Sequence, residues 1–341
     1  MLRMNCDYLE GCHPQVLAAL AETNMEQHPG YGTDAHCEHA ACMIRDAFAC
    51  PDAGVHFLTG GTQANMTVIA AALRPFEGVL CADTGHIHTH ETGAVEATGH
   101  KCLALKGASG KITAAQVEEA VRLQADDEHT VRPGMVYLSM STELGTLYTL
   151  AELQAMHEVC RRFGLLLYVD GARLGYALAA PACDVTPPQL AECCDAFTVG
   201  GTKMGALFGE AVVLRDDALN TRFRYSIKQR GGMLAKGRLL GVQFEALMKD
   251  GLYWQIGGRA VRQALRIRDA LAEKGIGLMV DSPTNQQFPV LTHEQARKLA
   301  EQFVLEDNGT VDPKHVCKRI CTSWATTDAM VDALLEAICA L

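Results

Sequence analysis

The sequence predicts an α/β fold, with a mostly parallel sheet in a large domain and a small α+β domain at the C-terminus. From about residue 50, short apolar runs alternate with patterns of helical period, which is typical of a parallel sheet covered by helices. Strand candidates such as LLLYV at residues 165–169 are apolar throughout, as strands buried on both faces are. The pattern changes after residue 250, so we expect a large domain over residues 1–250 and a small one over residues 251–341.

The predicted elements of the large domain follow one another as strand–helix units. A short helix at residues 14–22 precedes them and could pack on either domain. Strands are predicted at residues 55–58, 79–82, 135–140, 165–169, 196–199 and 206–213. Helices are predicted at residues 62–73, 113–124, 150–163 and 233–249.

The predicted elements of the small domain are fewer and shorter. A helix at residues 254–274 leads into a strand-like run, QQFPVL. A helix from about residue 294, a strand near residues 315–322 and a final helix complete the chain.

Composition narrows the class of function before any motif is considered. Thirty Lys and Arg against forty Asp and Glu give a net charge of −10 with no long basic run, which disfavours binding to a nucleic-acid backbone. The sequence has neither an apolar run long enough to cross a membrane nor the apolar start of a secretory signal. The 14 cysteines are scattered without a Cys-x-x-Cys pair, so we expect reduced thiols and a cytoplasmic location.

Two charged residues stand at strand ends in the middle of the chain. Asp170 ends the run LLLYVD, and the carboxyl end of a buried parallel strand is where α/β sheets bind ligands, although a helix N-cap would also explain it. Lys203 follows the next strand between glycines, in GGTKMG, where desolvation would lower its pKa towards the nucleophilic range. Considered alone, Lys203 would be interpreted as a solvated loop lysine. The presence of Asp170 at the end of the preceding predicted strand argues against this interpretation.

A glycine pair opens the first large helix. The segment GGTQAN, residues 60–65, joins a strand to that helix, and its backbone could approach an anion that the first free N–H groups then hold. No Gly-Lys-Ser/Thr follows and G-x-G-x-x-G is absent, so the segment is neither a P-loop nor a dinucleotide fingerprint. A plain glycine turn is the alternative.

A histidine cluster, GHIHTHETG, contains His86, whose imidazole could stack on a flat ring. His88 and His90 alternate with it. In an extended chain such residues spread apart along one face, and no Cys or Asp completes a ligand set, so we predict no metal site here.

These four features match what pyridoxal phosphate needs from a protein. The cofactor needs a lysine that bonds its aldehyde, an acid that keeps the pyridine nitrogen protonated, backbone donors for the phosphate and usually a flat group over the ring. Lys203, Asp170, the segment at residues 60–65 and His86 supply one each. We therefore predict pyridoxal 5'-phosphate as the cofactor and an amino acid as the small-molecule substrate.

Longer stretches carry a specific resemblance. The segments GGTQAN, DTGHIHTHETGA, LYVDGARLGYAL and GGTKMGALFGEAVV resemble, in this order, the threonine aldolase branch of the β-eliminating lyases, which are fold type I pyridoxal-phosphate enzymes. The likeness extends from GCHPQVLAAL and YGTD through QRGGMLAKG to KRICTSW. It implies a sheet of the seven-stranded type in the large domain.

The resemblance implies roles at the cofactor. Lys203 would bond the cofactor, Asp170 would pair with its ring nitrogen and His86 would stack on the ring. Gly61 and Thr62 resemble the residues that bind the phosphate.

The resemblance also implies roles at the substrate and the neighbouring subunit. Arg173, which we also count among the cofactor-binding residues, and Arg319 would bind the substrate carboxylate, a task suited to guanidinium groups. The sites of this family lie between subunits, so Lys228 and Arg230 would approach the phosphate of a neighbour. A homodimer or homotetramer is therefore implied.

Two positions depart from the family pattern. Where well-known members have a serine next to an aspartate that helps hold the substrate, this chain has Cys6-Asp7. Where they have a histidine near the substrate hydroxyl, it has Glu143, and a carboxylate there could still act as general base. Glu143 would equally suit a different leaving group.

These observations predict a lyase that cleaves threonine-like β-hydroxy-α-amino acids to glycine and an aldehyde. Another reaction of the same cofactor, such as β-elimination, transamination or racemisation, is the first alternative, since sequence does not fix which bond at Cα lies perpendicular to the ring. A cofactor-free binding protein on the same fold is the second. It would be expected to have lost Lys203 or Asp170, and both are present.

Overall fold

A mixed seven-stranded sheet is the centre of the structure, a computed structural model that describes residues 1–124 and 127–341. The strands are Leu2–Arg3 (β1), Gly54–Leu58 (β2), Glu77–Ala82 (β3), Cys102–Leu105 (β4), Arg132–Ser139 (β5), Leu166–Asp170 (β6), Ala196–Gly200 (β7), Glu210–Leu214 (β8), Gln286–Gln287 (β9), Val290–Thr292 (β10), Phe303–Val304 (β11), Glu306–Asp312 (β12) and His315–Cys321 (β13).

Helices flank this sheet and follow it. They are Pro14–Glu22 (α1), Ala35–Ala47 (α2), Gly61–Ala72 (α3), His86–Thr89 (α4), Ala114–Gln124 (α5), Leu150–Phe163 (α6), Leu174–Leu178 (α7), Pro187–Glu192 (α8), Asp217–Asn220 (α9), Phe223–Gln229 (α10), Arg238–Met248 (α11), Leu252–Glu273 (α12), His293–Ala300 (α13) and Asp328–Cys339 (α14). Short 3-10 turns occur at Glu96–Thr98, Thr202–Met204 and Lys249–Gly251.

The strand order of the large sheet is β2-β8-β7-β6-β5-β3-β4, and the strands from β7 to β4 run parallel. Strand β8 is antiparallel to both β7 and β2. The connection over residues 201–209 explains this reversal, because it is too short for the crossover of about a dozen residues that a parallel neighbour needs. The predicted fold class, a mainly parallel α/β sheet, is confirmed.

Side chains of the central strands alternate between the two covered faces. Leu167 and Val169 of β6 belong to one apolar cluster, and Tyr168 between them belongs to the other. Every residue of β7 and β8 is buried. This burial on both faces is why these strands read as continuous apolar runs in the sequence.

Helices with strong end signals were predicted well. The helices predicted at residues 14–22 and 150–163 coincide with α1 and α6. Thr149 and Glu152 form a capping box at the start of α6, and Gly164 ends it in the left-handed conformation, at φ 69°.

Other predicted boundaries were wrong, for local reasons. The strand predicted at residues 206–213 begins only at Glu210, because Gly205 and Gly209 turn the chain with φ of 96° and 125°. The helix predicted from residue 233 begins at Arg238. The backbone of Gly237 packs so tightly that a Cβ there would lie 2.5 Å from the amide nitrogen of Gly32.

Helix α2 was not predicted, since it buries mostly small side chains. Asp34 caps it by accepting from the amide of Cys37, and the buried positions repeat every three or four residues at Cys37, Ala40, Ala41 and Ile44. Small residues give a weak periodic signal, although they allow close packing.

The C-terminal part of the chain has its own small antiparallel sheet, in the order β10-β13-β12, with β9 beside β13. Its core includes residues of α12, α13 and α14, and also Met4 from the N-terminal segment. Strand β1 pairs with β11, so the N-terminus packs on this part of the chain. The domain boundary at residue 250 stays a prediction. Among the described residues, no helix has both the length and the apolar character needed to cross a membrane.

Candidate active site

A cavity of about 350 Å³ opens at the carboxyl ends of the parallel strands β5, β6 and β7. Predicted residues gather there from separate parts of the chain. Those lining the cavity are Gly61, Thr62, His86, Glu143, Asp170, Arg173 and Lys203. Another cavity, of about 380 Å³, lies against α2 and α10 and contains none of the predicted site residues. The cavity at the strand ends is therefore the candidate active site, since the reactive side chains line it.

Lys203 lies in the 3-10 turn that follows β7. Its backbone carbonyl accepts a hydrogen bond from the hydroxyl of Tyr176, which holds the turn in place. Its Nζ is 5.9 Å from the ring centre of Tyr8. Burial, with nearby Arg173 as the next cause, lowers the pKa of the Lys203 amine, so the amine is free at a lower pH than in an exposed lysine.

Glycines bring the Lys203 and Asp170 segments into contact. A Cβ on Gly200 would lie 2.5 Å from the carbonyl oxygen of Ala172, and one on Gly171 would lie 1.9 Å from that of Thr198. Any larger residue at either position would push the end of β7 away from the loop after β6. The glycine-rich surroundings of Lys203 therefore serve close backbone approach.

Asp170 is a buried carboxylate, and both of its oxygens accept hydrogen bonds. Oδ2 accepts from the hydroxyl of Tyr137 at 2.6 Å and from Nδ2 of Asn65 at 2.9 Å, and Oδ1 accepts from the amide of Ala172 at 2.9 Å. Burial alone would raise the pKa of Asp170, but these hydrogen bonds outweigh it and the pKa is lowered. Asp170 is therefore held as an anion, as a partner for a protonated ring nitrogen must be.

His86 belongs to a polar network that reaches Asp170. Its Nδ1 lies 2.8 Å from Oε1 of Glu91, whose side chain is fully buried. The same oxygen accepts from Nδ2 of Asn65 at 2.8 Å, and Asn65 also binds Asp170. Through Glu91 and Asn65, the orientation of the His86 ring is linked to that of the Asp170 carboxylate.

The segment around His86 is helical, whereas the prediction took it as extended. His86 begins the short helix α4, so the chain turns and His86 stacks on His90 with ring centres 5.5 Å apart and planes at 19°. His90 has a lowered pKa, first because of burial and then because of neighbouring His86.

Glu143 lines the cavity and contacts the backbone of His86. Oε1 accepts from the hydroxyl of Ser139 at 2.6 Å and from the amide of His86 at 2.9 Å. Burial raises the pKa of Glu143, and these two hydrogen bonds only partly offset that effect. A buried carboxyl with a raised pKa binds a proton more tightly than an exposed one, as a general base must.

The start of α3 forms an open cradle. Gly60 and Gly61 precede the first free N–H groups of this helix, and a Cβ added to either would meet no described atom within 4 Å. Thr59 is fixed beside them, since its hydroxyl donates to Oε1 of Gln63 at 2.6 Å. This arrangement of backbone donors and space fits a phosphate group.

Arg173 is paired within the protein. Its Nε and one Nη donate to the two carboxylate oxygens of Asp7 at 2.8 and 2.9 Å, and Asn285 donates to the same carboxylate. Burial would raise the pKa of Asp7, but Arg173 and Lys203 lower it on balance. Cys6 is buried beside this pair and does not line the cavity.

The remaining predicted residues lie outside the cavity lining. Arg319, on β13, donates through Nη2 to the carbonyl of Asn5, and its buried Nε has no hydrogen-bond partner among the described residues. Lys228 sits over the ring of Tyr31, with Nζ 4.6 Å from the ring centre. Arg230 donates to Oε1 of Gln229 at 3.1 Å. Their predicted roles stay predictions.

Several site residues were missed in the sequence. Asn65 and Tyr137 bind Asp170, Glu91 binds His86, and Tyr8 and Glu210 line the cavity. Burial raises the pKa of Glu210 to about 8 against the influence of Lys203, and its Oε2 is buried without a partner among the described residues. Asn65 closes the GGTQAN motif, so the motif could have suggested it. Tyr137 lies in the apolar run MVYLSM, which predicts a core residue.

The fold and the site together define a fold type I pyridoxal-phosphate enzyme. The aspartate aminotransferase of Thermus thermophilus shares the fold, with a TM-score of 0.72 at 12% identity over 99% of this chain and 90% of that one. Lys203, the fixed carboxylate of Asp170, the imidazole of His86 and the open start of α3 line one cavity. The predicted cofactor class is confirmed.

Closer relatives identify the family. A family model described as β-eliminating lyase matches residues 7–317, and the chain belongs to that family. The threonine aldolase of Leishmania major superposes with a TM-score of 0.98 at 42% identity, over 100% of this chain and 99% of that one. The low-specificity L-threonine aldolase of Pseudomonas aeruginosa is 32% identical over 285 residues, which are 83% of this chain and 82% of its own. The resemblance seen in the sequence is confirmed.

Proposed function

We propose that the protein is a pyridoxal-phosphate-dependent aldehyde-lyase that cleaves L-threonine and similar β-hydroxy-α-amino acids to glycine and an aldehyde. The observation that carries this proposal is one cavity that gathers Lys203, Asp170 and the buried acid Glu143 in a chain similar to a threonine aldolase from end to end. When bound, the cofactor supplies an electron sink for the charge that develops at Cα. The residues supply the rest.

Asp170 and the start of α3 would orient the cofactor. Asp170, kept ionised by Tyr137, Asn65 and the Ala172 amide, would hold the proton on the ring nitrogen. The free N–H groups at Gly61 and Thr62 would hold the phosphate. His86, oriented by Glu91, would cover the ring.

Glu143 takes the proton of the substrate hydroxyl. Both of its hydrogen bonds go to Oε1, and we assign Oε2 to the substrate. Its raised pKa makes it a stronger base than an exposed glutamate once it is ionised. This assignment gives Glu143 the task that a histidine performs in other members.

Arg319 and Arg173 bind the substrate carboxylate. The buried Nε of Arg319 is a donor without a described partner, as a group reserved for a ligand would be. Arg173 is already paired with Asp7, which largely neutralises its charge. Its main effect would therefore be to fix the position of the substrate carboxylate. Cys6, next to Asp7, borders the same end of the site.

We assign Glu210 as the group that exchanges a proton with Lys203. Both line the same cavity, and each favours the charged form of the other. Lys203 would have to be a free amine to hold the cofactor, and Glu210 would take up or return the proton that this amine loses or gains.

Assembly and location complete the proposal. We propose a homodimer or homotetramer with shared sites, in which Lys228 and Arg230 at the end of α10 approach the phosphate of the partner's site. Sedimentation velocity tests this, and an active monomer would contradict it. A cytoplasmic location is supported by the 14 unpaired thiols.

The direct test is product analysis. Purified, cofactor-loaded protein is incubated with L-threonine and with L-allo-threonine, and acetaldehyde and glycine are measured separately. Release of both products in equal amounts is expected. Formation of 2-oxobutanoate and ammonia instead would replace cleavage with β-elimination, and no product with either substrate would refute the proposed reaction.

A further inference from the structure

Three metal-binding side chains meet outside the active-site cavity, in and after the connection between α1 and α2. Nε2 of His28 and Nε2 of His36 lie 2.7 and 2.9 Å from the same oxygen, Oε2 of Glu26. The ligand atoms of all three residues lie within 4.8 Å of one another. The two histidine side chains are 20% and 19% exposed, so an ion from solvent can reach the cluster.

The surroundings of His36 select the nitrogen that faces the cluster. Oε2 of Glu245, on α11, lies 2.7 Å from Nδ1 of His36, and the other oxygen of Glu245 lies 2.9 Å from Nδ1 of His39. A carboxylate on Nδ1 holds a proton there, so that a metal ion that displaces the proton on Nε2 finds its lone pair directed towards Glu26. This carboxylate–histidine arrangement is the one that supports metal-bound imidazoles in proteins.

We propose that Glu26, His28 and His36 form a binding site for a divalent transition-metal ion of the zinc type. Two imidazole nitrogens and one carboxylate oxygen suit zinc, cobalt or nickel, whereas magnesium and calcium prefer oxygen ligands alone. Three protein ligands leave a fourth position for water. Two neutral histidines with the carboxylates of Glu26 and Glu245 carry a charge of −2, which matches the ion.

The geometry needs only a small adjustment to accept the ion. Ligands about 2.0–2.2 Å from a tetrahedral zinc ion are about 3.3 Å apart, close to the present nitrogen–oxygen distances. Glu26 lies in a connection between helices and its side chain is 45% exposed. The side chain can therefore rotate outwards until its oxygen is as far from the two nitrogens as ligands of a zinc ion are. The rings of His28 and His36 are already edge to face, with centres 5.1 Å apart.

Metal binding at this cluster would fasten a segment that contacts α10. The connection that holds Glu26 and His28 also carries Tyr31, whose carbonyl accepts from Arg224 at 3.0 Å and whose ring lies under Lys228. Through His36 and Glu245 the ion would join this connection to α2 and α11. We expect the bound ion to stabilise the fold and to take no part in the reaction.

Metal titration of tag-free, cofactor-loaded protein tests the site. After treatment with a chelator, Co²⁺ and Zn²⁺ are titrated by absorbance and calorimetry. One equivalent of Co²⁺ should bind with the visible bands of a four-coordinate nitrogen–oxygen site and without a thiolate charge-transfer band. Thiolate bands would place the ion on cysteines, and absence of stoichiometric binding would also overturn the proposal.

Variants locate the ion. His28→Ala and His36→Ala should lose the stoichiometric site, Glu245→Gln should weaken it about 10–100-fold, and the exposed control His129→Ala should bind as the wild type does. Equal binding by all variants would overturn the assignment. Zn²⁺ should also raise the Tm of the wild type and protect His28 and His36 from diethyl pyrocarbonate, a result independent of how the variants fold. Modification at an unchanged rate would contradict the site.

Discussion

Two buried carboxylates of the cavity differ in their hydrogen bonding. Asp170 accepts three hydrogen bonds, from Tyr137, Asn65 and the Ala172 amide, whereas Glu210 has a buried oxygen without a described partner. We call the first set of residues the floor. The second set, Glu210 with Lys203, is the wall. The pKa of Asp170 is lowered, while that of Glu210 is raised to about 8, although both carboxylates are buried.

The difference shows how burial can have opposite results for the same functional group. Desolvation raises the pKa of both carboxyls. On the floor, hydrogen bonds to the charged form, with a smaller contribution from His86, reverse the effect. The floor is therefore a fixed charge that requires no proton movement during turnover. The wall keeps its charge state adjustable, as groups that exchange protons must.

The largest expected effect is that of Lys203→Ala, which removes the nucleophile from the wall. Without the amine, no covalent bond to the cofactor forms, and threonine cleavage should fall by about 10³-fold or more. Cofactor absorbance and the mass of borohydride-reduced protein measure attachment. The exposed Lys236→Ala is the matched control and should behave as the wild type. Cofactor still attached in Lys203→Ala would show that another lysine does this work.

Asp170→Asn tests the floor and should reduce kcat by about 10²-fold or more, because it removes the negative charge while keeping the shape of the side chain. Tyr137→Phe is the comparison, since it removes one hydrogen bond and retains the charge. Its loss should be much smaller than that of Asp170→Asn. Steady-state kinetics with L-threonine measure both, and equal losses would mean that the hydrogen bond, not the charge, is what the floor provides.

Sequence reasoning found the residues whose signals are local. Asp170 and Lys203 stand at the ends of apolar strands, and Gly61 stands between a strand and a helix. Their positions at the carboxyl ends of strands therefore follow from the local pattern. The same reasoning placed Glu143 in the cavity through a family resemblance.

The partners of these residues could not be predicted, because they arrive through tertiary contacts. Asp7 and Arg173 are 166 positions apart and form a bidentate pair. Tyr137 sits in an apolar strand and Glu91 in a histidine cluster, so neither suggested that it would help to support Asp170 or His86. Their roles depend on which strands become neighbours, and the sequence does not encode that locally.

Glu143→Gln, which changes a carboxyl of neither the floor nor the wall, has an intermediate expected effect. Loss of a general base should lower kcat by about 10²-fold, while cofactor binding stays unchanged. In the wild type, kcat should rise with pH through the raised pKa of Glu143, since only the ionised form accepts a proton; this limb should vanish in Glu143→Gln. The pH profile of kcat tests this.

Ser139→Ala is the matched control for Glu143, because it removes a hydrogen bond to Oε1 and leaves the carboxylate in place. It should raise the pKa of Glu143 and shift the same limb to higher pH without abolishing it. An unchanged kcat and an unchanged limb in Glu143→Gln would assign the base to another group, such as His90, whose ring stacks on that of His86.

Glu210→Gln has the smallest expected effect on turnover and tests the shared proton of the wall. Burial and Arg173 lower the pKa of Lys203, whereas the charges of Asp7, Glu210 and Asp170 oppose them. Removing the Glu210 carboxylate should therefore lower the pKa of Lys203 further. The free amine would then be present from a lower pH, and the midpoint of the pH dependence of cofactor capture should move down with it.

Stopped-flow absorbance of pyridoxal phosphate binding to cofactor-free protein measures that midpoint. Tyr253, whose pKa is raised by burial and then by Glu210, faces the same carboxylate and stays neutral over the range tested, so it does not replace the lost charge. Glu210→Asp should keep most of the wild-type midpoint, and Glu152→Gln, which removes a carboxylate that pairs with Lys111 away from the cavity, should keep all of it. A midpoint that stays constant or rises in Glu210→Gln would mean that Lys203 exchanges its proton with solvent, and the wall would then differ from the floor only in lacking hydrogen bonds.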